Sequence, residues 1–131
     1  MSELAILCID DEVIILNSLL RQLQAAFGDD YVYKTSESAE EALEIIEDLE
    51  AEGNKIIVIV SDWLMPGMKG DDFLVKVHNE FPQVIKILLT GQADASAIER
   101  AKNEAHIHAY LNKPWSEQEL IECIKSGLKE L

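Results

Sequence analysis

Cysteine and basic residues are scarce in this sequence, and each shortage excludes a class of function. The two cysteines, Cys8 and Cys123, sit in apolar periodic segments, which favours small buried thiols over a disulfide or a zinc site. Lys and Arg number 11 against 25 Asp and Glu, giving a formal charge of -14. This acidic excess opposes direct binding to nucleic acid or to anionic lipid, because phosphate contacts need surplus positive charge.

Long apolar runs are also missing. The longest run is far shorter than the roughly 20 residues that span a bilayer. The amino terminus, Met1-Ser2-Glu3, lacks the basic region and apolar stretch of a signal peptide. We therefore expect a cytoplasmic protein without membrane association. Its 131 residues, 48% of them hydrophobic, predict one compact domain over residues 1–131.

Five short apolar runs alternate strictly with longer amphipathic stretches. The run from Ile56 to Val60 is unbroken β-branched sequence, typical of a strand covered on both faces. The stretches between runs repeat apolar residues every three or four positions, which predicts helices, and the stretch 94–104 has the fewest large apolar residues. This order predicts an α/β, doubly wound domain, a parallel sheet with helices on both faces. The predicted strands are 4–9, 31–35, 56–60, 84–89 and 107–111.

Polar residues follow the predicted strands where they end. Asp10 and Asp11 follow the first strand and Asp62 the third, while Thr90 and Lys113 follow the fourth and fifth. Ligands of an open parallel sheet bind beyond the carboxyl ends of its strands. A single Asp in such a place is often only a helix N-cap, and Asp11 could be that. The joint placement of all five residues favours a functional site.

Carboxylates that end adjacent strands, about 4.8 Å apart, should lie close together. Three such anions either raise a pKa or bind a cation. Oxygen ligands without His or Cys suit Mg²⁺ or Mn²⁺ rather than Zn²⁺. An ion there leaves room for a phosphoryl oxygen, and Lys113 and Thr90 could contact two more. Phosphoryl transfer asks mainly for such positioning and charge neutralisation.

These motifs together resemble the response-regulator receiver domain family of two-component signalling, the family of chemotaxis-regulator-like proteins. The resemblance covers the whole chain and implies a flavodoxin-like (βα)5 domain with strand order 2-1-3-4-5. The residues that carry it are Asp10-Asp11, Asp62-Trp63-Leu64-Met65-Pro66, Gly70, Thr90-Gly91 and Lys113-Pro114.

The resemblance implies that Asp62 is the phosphoacceptor, attacking a phosphohistidine of a sensor histidine kinase or a phosphotransfer protein. It also implies a Mg²⁺ (or Mn²⁺) ion bound directly by Asp11, Asp62 and the backbone carbonyl of Leu64, with Asp10 acting through water. Such a protein transfers and loses its own phosphoryl group rather than turning over like a conventional enzyme.

The resemblance further implies a phosphoryl pocket and a switch. Lys113 and Thr90 would hold the phosphoryl group, Gly91 would leave room for it, and the Lys113–Pro114 bond would be cis. Thr90 would move toward the phosphoryl group while Tyr110 turns from exposed to buried. The output face would then be the fourth helix, fifth strand and fifth helix, read by an output domain or a separate protein. A phosphorylation-dependent homodimer stays open.

Three further expectations concern single positions near Asp62. Leu64 and Gln92 should tune the lifetime of the phosphoryl group, and an apolar Leu64 predicts slow to moderate self-dephosphorylation. Trp63 either shields the site or meets a partner. One of the consecutive residues Val13, Ile14 and Ile15 should stay at the surface, either as a kinase contact (Ile14 or Ile15) or merely as a partly covered helix start.

Three alternative functions compete with the phosphorylated receiver. A pseudo-receiver would bind partners without phosphorylation, but the filled family positions argue against it. A flavodoxin-like cofactor binder needs a Gly/Ser/Thr phosphate loop where this chain has Asp10, Asp11 and Glu12. A Mg²⁺-dependent phosphatase of another fold would lack the Thr-Gly and Lys-Pro elements.

Overall fold

The computed structural model describes residues 3–91 and 95–131, which form a five-stranded parallel sheet with helices on both faces. The strand order is 2-1-3-4-5, as expected. The strands are β1 (Leu4–Ile9), β2 (Val32–Ser36), β3 (Lys55–Asp62), β4 (Ile85–Thr90) and β5 (Ala109–Asn112). The helices are α1 (Val13–Phe27), α2 (Ala39–Ala51), α3 (Gly70–Glu80), α4 (Ala95–Glu104) and α5 (Glu117–Leu128), with a 3₁₀ turn at Gly28–Asp30.

β1 has the predicted bounds, whereas the bounds of the other four strands differ from the prediction by one residue, or by two at the end of β3 and the start of β5. β3 continues beyond residue 60 because Ser61 and Asp62 still pair with β4. β5 starts later than residue 107, since the backbone N–H of Ile107 donates to the carbonyl of Ala101 at the end of α4. The residues before β5 thus belong to the helix terminus, where His106 takes a left-handed φ of 51°.

The sheet separates two hydrophobic cores. Alternate residues of β1 face opposite sides: Leu7 and Ile9 pack toward α2 and α3, whereas Ile6 and Cys8 pack toward α1 and α5. Every residue of β3 after Lys55 is buried, which confirms a strand covered on both faces. Each large aliphatic side chain buried this way stabilises the fold by about 1.5–3 kcal/mol. The carboxyl ends of β1 and β3 are therefore held in place by packing on both faces of the sheet.

The two cysteines are free thiols, as predicted. Cys8 is fully buried, and burial raises its pKa to about 12. Cys123 is half-buried, and burial, followed by the nearby Glu119, raises its pKa as well. Neither thiol is a ready nucleophile at neutral pH.

Helix α4 is held by few apolar contacts, as its composition predicted. Its buried residues are the two alanines Ala97 and Ala101. A polar contact adds to them: the guanidinium of Arg100 reaches Asp71, with 3.4 Å between Nη1 and Oδ2, and also bonds to Asp72. A helix anchored this lightly can shift at small cost in hydrophobic contacts. Across the described part of the chain, no helix combines the length and apolar character needed to cross a bilayer.

The loop between β3 and α3 folds back tightly on the end of β3. The backbone N–H of Gly70 donates to the carbonyl of Trp63 over 2.8 Å. A Cβ on Gly70 would lie 2.1 Å from the carbonyl oxygen of Asp62 and 2.8 Å from the Cα of Trp63. Both are backbone atoms that cannot rotate aside. Only glycine allows this loop to pack against Asp62.

Replacing Gly70 with alanine should therefore force the loop and Asp62 apart. We expect the free energy of unfolding, measured by urea denaturation, to fall by about 3 kcal/mol. Gly91→Ala is the matched control, because a Cβ there meets nothing within 4 Å. Its unfolding free energy should change by no more than about 0.5 kcal/mol. Equal stability of Gly70→Ala and the wild type would show that the loop can accommodate a Cβ at this position.

Candidate functional site

Three carboxylates meet at the carboxyl ends of the neighbouring strands β1 and β3. Asp10 follows β1 and is completely buried, Asp62 ends β3 and is 5% exposed, and Asp11 is exposed. One oxygen from each lies within 4.8 Å of the others. The pairing of β1 with β3, in which Ile9 lies opposite Ser61, brings the first and third motifs together. The predicted acidic cluster is thus present in the structure.

Lys113 reaches this cluster from beyond β5. Its Nζ lies 2.7 Å from Oδ2 of Asp10 and 3.0 Å from Oδ1 of Asp62. Its backbone N–H donates to the carbonyl of Thr90 over 2.8 Å, which fixes where the side chain starts. The Lys113–Pro114 peptide bond is cis, as predicted. Four of the five residues predicted at the strand ends therefore share one pocket, with Thr90 next to Lys113.

The electrostatics of the pocket show an excess of negative charge. Burial raises the pKa of Asp62, its hydrogen bond from Lys113 opposes this, and Asp10 and Asp11 raise the pKa further. Burial acts to lower the pKa of Lys113, but its bonds to Asp10 and Asp62 outweigh burial and the pKa is raised. One ammonium thus faces three carboxylates.

The donor set fits a hard divalent cation. Carboxylate oxygens within one ion's reach are the ligands that Mg²⁺ and Mn²⁺ favour, and an added cation would offset the surplus charge. Asp10 already accepts hydrogen bonds from Lys113 and from the backbone N–H of Glu12, which lies 2.9 Å from Oδ1. Asp11 and Asp62 are the carboxylates left most open to an ion.

Thr90 is buried at the end of β4 and its hydroxyl is already engaged. Oγ1 donates to Oδ1 of Asn112 over 3.1 Å and lies 3.5 Å from the carbonyl oxygen of Leu111. Tyr110 is 39% exposed, with Nζ of Lys102 lying 5.1 Å from its ring centroid. Sequence reasoning missed Asn112. Aligning β4 with β5 would have placed it opposite Thr90, the register that the structure shows.

Of the remaining predicted positions, Leu64 and Gly91 are exposed and Gln92 lies outside the described residues. The side chain of Leu64 is 55% exposed. Gly91 is exposed, and a methyl group there would meet nothing, so no packing contact in the described residues demands a glycine.

Trp63 is buried rather than offered to a partner. It is 9% exposed, and its Nε1–H donates to Oδ1 of Asp71 over 3.1 Å. Nζ of Lys69 lies 5.1 Å from its ring centroid. Because Asp71 also contacts Arg100, the residue beside Asp62 is connected to α4. Periodicity did not reveal Asp71 or Arg100 as parts of this arrangement.

An apolar surface lies beside the pocket. Val13 and Ile14, the first residues of α1, are 53% and 77% exposed, and Ile15 is half-buried. This confirms that the consecutive apolar residues exceed what one buried helix face needs.

Comparisons with known proteins agree with this geometry. The profile of the family described as "Response regulator receiver domain" matches residues 6–125. The structure resembles a CheY-like response regulator receiver domain protein from Methanospirillum hungatei with a TM-score of 0.85, 31% identity and coverage of 98% of this chain and 96% of that one. It resembles the signal receiver domain of an HD domain-containing protein from Pseudomonas fluorescens equally well, with a TM-score of 0.85, 30% identity and coverage of 98% and 96%.

Curated relatives are much longer than this chain. The hydrogenase transcriptional regulatory protein HoxA of Cupriavidus necator is 31% identical over 124 residues, which are 95% of this chain but 24% of that protein. The sensor kinase CckA of Brucella abortus is 29% identical over 125 residues, 95% of this chain and 12% of that protein. The family match, the strand order and the clustered strand ends lead to one conclusion: the chain belongs to the response regulator receiver domain family of two-component signalling.

Proposed function

We propose that Asp62 accepts a phosphoryl group from a sensor histidine kinase or a phosphotransfer protein, in a reaction that depends on Mg²⁺ (or Mn²⁺). The observation that carries this proposal is the ion-paired contact of Lys113 with Asp62 and Asp10 beside Asp11. A structural ion pair needs one carboxylate for one ammonium. Two additional carboxylates at the same point are costly unless a cation neutralises them, and such a cation would also favour an incoming phosphoryl anion.

The nucleophile in this proposal is a carboxylate oxygen of Asp62. It forms a bond to phosphorus as the phosphorus–nitrogen bond of the donor breaks, and the imidazole nitrogen leaves with the electron pair. Lys113 pairs with one phosphoryl oxygen and thereby offsets the negative charge of the phosphoryl group during transfer. The hydroxyl of Thr90 donates a hydrogen bond to another phosphoryl oxygen, and Gly91 leaves room beside it.

Asp11, Asp62 and the backbone carbonyl of Leu64 would hold the metal ion directly. Asp10 would act through water, because its two oxygens already serve Lys113 and Glu12. When bound, Mg²⁺ neutralises charge on the carboxylates and on the phosphoryl oxygens.

Movement of Thr90 and Tyr110 would carry the phosphorylation state to α4, β5 and α5. The light anchoring of α4 and the partial exposure of Tyr110 support this proposal. The names and lengths of HoxA and CckA support an output domain or protein as the reader of this face. The charge of -14 makes this domain a poor direct binder of nucleic acid. A cytoplasmic location and a phosphorylation-dependent homodimer stay predictions, and a pseudo-receiver is not favoured.

Substituting Asp62 with asparagine should abolish labelling by acetyl phosphate in Mg²⁺, since an amide cannot form the acyl phosphate. Intact-protein mass spectrometry measures the label. Asp48→Asn, an exposed carboxylate of α2, is the matched control and should label like the wild type. A chelator should remove labelling from the wild type and from Asp48→Asn. Undiminished labelling of Asp62→Asn would show that the acceptor is another residue.

Leu64→Asn should shorten the lifetime of the phosphorylated protein several-fold. Leu64 follows Asp62 by two residues and is exposed, and its apolar side chain cannot orient a water molecule, whereas an amide can. The decay rate after removal of acetyl phosphate and addition of fresh Mg²⁺ is the measurement. Leu64→Met keeps an apolar side chain and should decay like the wild type. An unchanged rate in Leu64→Asn would exclude this position from control of the lifetime.

A further inference from the structure

We propose that Asn112 is a positioning residue: it holds the hydroxyl of Thr90 on β5 in the unphosphorylated protein and so sets how readily the site accepts a phosphoryl group. This inference rests on the proposed function, in which Thr90 donates to a phosphoryl oxygen. It concerns a residue that lies outside the motifs of the site.

The hydrogen bond between Thr90 and Asn112 uses a proton that phosphoryl binding also needs. Oγ1 of Thr90 donates to Oδ1 of Asn112 over 3.1 Å, and the carbonyl oxygen of Leu111, at 3.5 Å, is a second and more distant acceptor at the limit of hydrogen-bond length. A threonine hydroxyl has one proton and therefore one donor. While it donates to Asn112, it has nothing to donate to a phosphoryl oxygen. The side-chain oxygen of Asn112 and the phosphoryl oxygen therefore compete for the same proton.

The backbone around this bond is fixed, so the competition is settled by side-chain rotation. Thr90 and Asn112 lie opposite each other in the β4–β5 pairing. The N–H of Lys113 donates to the carbonyl of Thr90, which ties the two strand ends together. Threonine side chains occupy discrete staggered rotamers. A rotation about one bond therefore moves the hydroxyl from Asn112 to another acceptor without moving either strand.

Asn112 also lies on the same strand as Tyr110, the residue that the proposed switch moves. Tyr110 and Asn112 are two residues apart on β5, and alternate residues of a strand point to the same face. Tyr110 pairs with Leu88 and Asn112 with Thr90, so all four lie on one face of the β4–β5 pair. Rotation of Thr90 away from Asn112 would therefore change a contact on the face that carries Tyr110.

The strength of the bond suits a switch. Asn112 is exposed, so water can replace Thr90 as the partner of its amide when Thr90 turns away. A bond of this kind shifts an equilibrium by about twofold to tenfold. It is strong enough to keep Thr90 on Asn112 at rest and weak enough to be overcome by charge-assisted bonding to a phosphoryl oxygen.

The test is a double-mutant cycle on labelling by acetyl phosphate at saturating Mg²⁺. Wild type, Asn112→Val, Thr90→Val and the double variant are compared by their initial labelling rates at low acetyl phosphate. Asn112→Val should label about twofold to tenfold faster than the wild type. The same substitution in the Thr90→Val background should change the rate little, because no hydroxyl remains to be released. Asn112→Ala repeats the comparison without a β-branched side chain, and urea denaturation establishes that each variant is folded.

Three outcomes would overturn the proposal. An unchanged or lower rate in Asn112→Val and Asn112→Ala would show that the hydroxyl proton is not engaged by the amide. An equal rate increase in both backgrounds would show that Asn112 acts without Thr90. Failure of the wild type itself to label would contradict the proposed function and this inference with it, whereas the first two outcomes contradict the role of Asn112 alone.

Discussion

The organisation of this site depends on one contact, in which the ammonium of Lys113 bonds to two of three crowded carboxylates. Lys113 bonds to Asp10 and Asp62, and Asp11 completes the cluster. These residues come from the beginning, middle and end of the chain, and the strand order 2-1-3-4-5 brings them together at one edge of the sheet. Three anions and one cation leave a surplus that burial makes more costly. A divalent ion removes that surplus and makes a further anion tolerable, which is the requirement of a phosphorylated aspartate.

The elements on the two sides of the site differ in how much of their surface is buried. β1 and β3 are buried on both faces and place Asp10 and Asp62, while Gly70 lets the next loop close on Asp62 without a gap. On the other side, α4 is held by two buried alanines and by the contacts of Arg100. In the proposed function, a well-packed acceptor beside a lightly anchored helix would let the outer surface change while the chemistry stays in place.

The strands, the helix faces and the acidic cluster followed from the sequence because they depend on regular spacing, whereas the strand order was implied by the family resemblance. The β-branched run of β3 and the residues after each strand carried enough information to bring Asp62 and Lys113 together. Gly70 was recognised from its motif, but its reason, the approach to the carbonyl of Asp62, required coordinates. The bond from Thr90 to Asn112 could have been anticipated only by aligning β4 with β5. The bond from Trp63 to Asp71 could not be predicted, since it joins a loop residue to a helix and no regular spacing relates the two side chains. The start of β5 was misplaced because Ile107 gives its N–H to the end of α4.

Calorimetric titration of the protein with Mg²⁺, compared with the same titration of Asp11→Asn, tests the central claim most directly. Asp11 is exposed, so its substitution removes one charged ligand without opening the core. We expect one Mg²⁺ to bind per wild-type chain, and binding to Asp11→Asn to be weaker by about tenfold or more. No binding to the wild type, or equal binding to both proteins, would contradict the assignment of this cluster as a metal and phosphoryl site.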